Sequence, residues 1–172
     1  RFKRRERRQD RDAEGAAVSA IFMPVPIPDS PKTGAIYSLA SDFVFKAIGR
    51  IFVLPAGFEF DGASIPPILW PVIGSPFDPA YMEAALLHDW LYSTHIVTRR
   101  EADVAFREQL VAHGVTDFRA DMMFRGVRLA GVFAWDDSPQ DVAYMGWLRD
   151  HITADGRNLE TYGLCAPLSS PA

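Results

Sequence analysis

DPAYMEAALLHDWLYSTHIVTRREADVAFREQLVAHG, residues 78–114, reads as two helices joined by a tight turn. Asp78 suits an N-cap and Pro79 a first helical position, which starts a helix through about Ser93. Thr98 and Glu101 have the spacing of a reciprocal capping pair for a second helix, which stops at Gly114. About four residues around His95 to Val97 connect them, short enough to force antiparallel neighbours. His88 lies about six residues before that connection and Asp103 about five beyond Thr98, so their heights nearly match. Asp103 shares a stripe with Phe106 and Leu110 and is therefore a carboxylate set into an apolar helix face. Such a group costs roughly several kcal/mol unless it is paired. His88 is the partner on offer, and its second ring nitrogen would then be the acceptor that a general base needs. Tyr92, one turn on, can donate a hydrogen bond to the same carboxylate. The bland alternative is a satisfied polar contact inside a helix interface.

Asp89 is rotated by about 100° from His88 on an ideal helix and should point elsewhere. The Asp61-Gly62 loop is placed to approach it. Two carboxylates with backbone carbonyls and waters suit calcium, which takes roughly six to eight oxygens. An ion there would polarise an ester carbonyl while His88 activates water.

Beyond this hairpin, a third helix is expected from roughly Phe118 to Trp135. Phe118, Met122, Arg125, Leu129 and Val132 recur at helical spacing. Ser138-Pro139-Gln140-Asp141 should cap a fourth, ending near Ile152. Upstream, residues 35–60 alternate as strands do, with Gly49-Arg50 and Pro55-Ala56-Gly57 as turns. Residues 18–34 hold Pro24, Pro26, Pro28 and Pro31, which enforce an extended strap. The expected class is α+β: a small N-terminal antiparallel sheet packed on a C-terminal bundle of about four helices. The expected layout is a basic arm and linker over 1–17, then one domain over 18–155, then an irregular tail over 156–172. Within the domain, 61–77 is the loop and 78–152 the helices.

The 172 residues suffice for one domain with a proper core, and 48% hydrophobic with 23% charged is ordinary for a globular chain. Residues 1–12 (RFKRRERRQDRD) hold seven Lys/Arg and three acids, a local +4, which leaves −8 on the rest against the overall −4. A basic arm on an acidic body points to nucleic acid through Arg1–Arg11, to an anionic surface or to an acidic partner; a solvated tail is the bland reading. No apolar run is long enough for a transmembrane segment, and the first residues lack the apolar core of a signal peptide. Cys165 stands alone, which excludes an internal disulfide and a cysteine-based zinc site.

Other chemistries fit poorly. No histidine precedes His88, which removes the extra ligand that an HD-type phosphohydrolase requires. A zinc site from His88, His95 and Asp103 suffers from His95 lying past the helix end. His113 and His151 sit near helix C-termini, where capping explains them. Pro66-Pro67 denies Ser64 the geometry of a nucleophile elbow. Trp70, Phe77 and Tyr81 suit core packing or an apolar mouth. No phosphate-cradling glycine motif occurs.

Residues 57–130, through GFEFDGASIP, AALLHDWLY and EADVAF, resemble an uncharacterised family found mostly in tailed phages and prophages. That resemblance implies a phage-encoded or prophage-derived protein, part of the virion or in host cytoplasm before assembly; the basic arm and proline strap would dock it to other subunits or to nucleic acid. The same segment is distantly similar to secreted bacterial calcium-dependent phospholipases of the A-two class. This second likeness implies His88 as base, Asp61 and Asp89 as calcium ligands with the Gly62 carbonyl, Asp103 orienting His88, and Tyr92 supporting Asp103. The leading expectation is a virion-assembled protein with a phospholipase-like scaffold. The alternative is a calcium-dependent esterase acting on host envelope lipid. A cell-wall amidase is a third reading without a substrate-specific residue.

Overall fold

The computed structural model describes residues 20–24, 27, 29–32, 34, 37–61, 79–136 and 138–164. The expected arm, the Gly62, Ser64, Trp70 and Phe77 loop, the Asp78 cap and Cys165 lie outside these residues. The architecture is α+β, with short antiparallel strands followed by four helices.

The strands are β1 (Phe22–Pro24), β2 (Tyr37–Leu39), β3 (Phe43–Ala47), β4 (Arg50–Leu54) and β5 (Glu59–Phe60). They form two sheets rather than the single sheet expected: β1-β2-β5 and the hairpin β3-β4. The proline strap thus contributes an edge strand, a position where proline's missing N–H does no harm. The hairpin closes through Ile48-Gly49, with Ala47 opposite Arg50 and φ of 49° and 69° at the two turn residues. Two left-handed residues in a two-residue loop match the strand twist. Isoleucine is a strained choice there, held by packing on the core and by its N–H donating to Glu108 at 2.6 Å.

The helices are α1 (Pro79–Thr94), α2 (Arg99–Ala112), α3 (Asp117–Ala134) and α4 (Pro139–Ala154). Thr98 and Ser138 both form full capping boxes, with Glu101 and Asp141. α1 is the central element: residues 81–87 and 90–92 are all buried. Tyr81, Ala84 and Ala85 face α2 and α3, where they meet Phe106, Leu110, Ala120 and Met123. Met82, Leu86 and Trp90 join the larger core under the sheets and α4. A helix covered on both sides is apolar nearly all round, which explains the run AALL.

On α3, Phe118 and Leu129 face outward, 68% and 78% exposed, while Ala120 and Met123 form the buried face. α3 packs mainly on α2, so it needs only one narrow face, and small residues there allow close approach. One expectation needs correction: residues expected to be an irregular tail instead include a 3-10 turn, Leu159–Tyr162, which buries Tyr162 and Leu164 in the main core.

Candidate functional site

The site is built where the Tyr81/Ala85/His88/Tyr92 stripe of α1 meets α2 and α3. Asp103 on α2 is 0% exposed, and its carboxylate receives three donors. Tyr92 Oη donates to Oδ1 at 2.7 Å, and His88 Nε2 lies 2.9 Å from the same oxygen. Arg128 Nη1, from α3, donates to Oδ2 at 2.7 Å. Burial alone would raise the Asp103 pKa, but the hydrogen bonds from His88, Arg128 and Tyr92 outweigh it and hold the carboxyl below its ordinary value. Burial, and then the bond to Asp103, pushes the Tyr92 phenol upward, so it remains a donor.

An ionised carboxylate only accepts, so a neutral His88 carries its proton on Nε2 and its lone pair on Nδ1. Nδ1 has no hydrogen-bond partner among the described residues. The imidazole lies between Tyr92 and Phe106, with centroids 4.1 and 5.1 Å away, and its side chain keeps 12% of its surface exposed. Asp103, Tyr92 and Phe106 thus hold the ring, and Nδ1 is the nitrogen that Asp103 does not engage.

Asp89 diverges from His88 as helix geometry requires. It is half-buried, and its pKa is pushed up to about 8, first by burial and then by Asp61, with Lys32 opposing. Asp61 stands exposed at the end of β5, within electrostatic reach. No hydrogen-bond donor among the described residues reaches Asp89. Lys32 is held nearby, its Nζ donating to the Glu59 carbonyl at 2.7 Å and lying over the Phe58 and Tyr144 rings. Among the described residues, no three His, Cys, Asp or Glu side chains converge as a metal centre. Two hard carboxylates whose mutual repulsion a cation would relieve still fit calcium in charge and donor type, with remaining oxygens from carbonyls and water.

A stability measurement checks this environment. A carboxyl whose folded pKa is raised binds a proton that the unfolded chain has released between about pH 4 and 8, so stability falls as pH rises through that window. Asp89→Asn removes the ionisation. Its melting temperature should draw progressively above that of the wild type between pH 5 and 9 in calcium-free buffer; a gap that stays constant would contradict the description of Asp89.

The other histidines have structural partners. His95 follows the end of α1 with φ of 51°, and its Nε2 lies 2.9 Å from the Trp135 carbonyl. His113 caps α2, with Nδ1 2.7 Å from the Gln109 carbonyl and Nε2 2.8 Å from buried Glu83. His151 Nδ1 lies 2.9 Å from the Trp147 carbonyl. Tyr81 is buried between the helices. Sequence reasoning missed Arg128, since nothing local to α3 marks it from Arg119 or Arg125. Its one signal is that a buried carboxylate needs more than a neutral imidazole to stay ionised.

A small antiparallel sheet region that leads into a helical hairpin bearing a buried His-Asp pair defines the class. Residues 37–127 match the family described as "Protein of unknown function (DUF1353)", and the chain belongs to that family. Two relatives come from Sinorhizobium fredii (strain NBRC 101917 / NGR234). "Uncharacterized protein y4jT" is 35% identical over 56% of this chain, and "Uncharacterized protein y4iH" is 39% identical over 41%. The aligned segments span only 29% and 30% of those relatives. No solved structure gives a significant match. Among the described residues, no helix is long and apolar enough to cross a membrane.

Proposed function

We propose that this domain is a calcium-dependent ester hydrolase of the phospholipase type, with His88 as its general base. The observation that carries the reading is the Nδ1 lone pair of His88, without a hydrogen-bond partner among the described residues while Nε2 is tied to a triply bonded Asp103. His88 takes a proton from water on Nδ1 as the water oxygen adds to the ester carbonyl carbon. Collapse of the tetrahedral intermediate breaks the bond to the leaving alcohol, and the imidazolium returns its proton to that oxygen. Asp103 holds the ring and stabilises the transient imidazolium; Tyr92 and Arg128 hold Asp103. Asp61 and Asp89, with the Gly62 carbonyl, would hold calcium, which when bound supplies a Lewis acid for the ester carbonyl.

The purified chain, assayed on phospholipid and short-chain esters, should release acid with calcium present and lose that activity on chelation. Absence of hydrolysis, or a rate that chelation leaves unchanged, would sink this reading. A second reading is a phage- or prophage-derived virion subunit that keeps a hydrolase-like scaffold. It is favoured by the +4 charge of residues 1–12 against an acidic body, which suits docking to other subunits or nucleic acid. Co-sedimentation with particles that survives loss of His88, but not deletion of residues 1–17, would favour it.

A further inference from the structure

A glycine inside a helix destabilises it relative to alanine, so its presence calls for a reason. α3 has two, and the contrast between them is informative. A Cβ built on Gly126 meets nothing within 4 Å. A Cβ built on Gly131 would stand 2.4 Å from the Tyr92 hydroxyl and 3.3 Å from the carbon that bears it. Neither glycine has the positive φ that would explain it by backbone conformation. Gly131 is buried. The tyrosine ring is already packed against two others: Trp135 lies edge-on at 4.9 Å and 88°, and the His88 ring is 4.1 Å away. Trp135 is in turn tied through its carbonyl to His95.

We infer that Gly131 is a positioning residue: its missing side chain opens the space through which the Tyr92 hydroxyl reaches Asp103 and so fixes His88. This deepens the hydrolase reading by extending its machinery to α3. The test reads the histidine and not turnover, so the two ideas fail separately.

Three variants decide it: Gly131→Ala, Gly126→Ala as control, and the double variant Gly131→Ala with Tyr92→Phe. Gly126→Ala should raise the melting temperature by about 2–4 °C and leave the His88 Nε2–H proton resonance unchanged. Gly131→Ala should lower the melting temperature, shift that resonance and speed its exchange with water. Adding Tyr92→Phe removes the clashing oxygen and should recover most of the lost melting temperature. The resonance should still differ from wild type, because the hydroxyl is gone. If Gly131→Ala behaves like the Gly126 control, or destabilises without moving the His88 resonance, the inference is overturned. Should Gly131→Ala not fold, the double variant carries the test, and its failure to fold would overturn the inference as well.

Discussion

On the proposed hydrolase reading, His88→Gln should reduce calcium-dependent ester hydrolysis by about a hundredfold to ten-thousandfold, the usual contribution of a positioned general base. Glutamine is chosen because its amide can replace Nε2–H as a donor to Asp103, while it has no basic nitrogen. The fold should therefore survive, with a melting temperature within a few degrees of wild type. This pairing of outcomes separates chemistry from stability. Activity lost together with folding would leave the base unproven, which is why the glutamine variant is more informative than alanine. Full activity in a folded His88→Gln protein would refute the catalytic role outright.

Asp103→Ala should have the largest effect on stability. It leaves Arg128, Tyr92 and His88 aimed at an empty, buried position. Breaking a buried charged pair by removing one partner typically costs about 3–5 kcal/mol. For a chain of this size that corresponds to a fall in melting temperature of roughly 10 °C. The pH dependence carries a sign. A carboxyl whose folded pKa is lowered stabilises the protein above its unfolded value of about 4, and that stability disappears as pH falls through the folded value. The gap between wild type and Asp103→Ala should therefore be wide at neutral pH and close in acid. Thermal unfolding between pH 2 and 7 checks this; parallel curves would mean Asp103 is not held ionised by its neighbours.

These two residues were legible because the pattern around them is local. Thr98 and Glu101 set the start of α2, a short connection set its direction, and Asp103 interrupts an apolar stripe. Given those three, contact with His88 follows from helix geometry. Arg128 and Gly131 were not legible, because their roles depend on which face α3 turns inward. Bulky Phe118 and Leu129 lie on a regular helical stripe, yet both are exposed. The inward face is drawn by Ala120, Met123, Arg128 and Gly131, a mixture that no hydrophobic count selects.

The sequence by itself determined the α+β class, the capped hairpin, and the His88, Tyr92 and Asp103 association, since caps, turns and 3.6-residue periodicity act within a few residues. Only the tertiary structure decided that the strands split into two sheets, that residues 159–164 return to the core, and that α3 completes the carboxylate's shell. Those outcomes depend on contacts between segments distant in the chain, where packing volume and charge pairing override local preference.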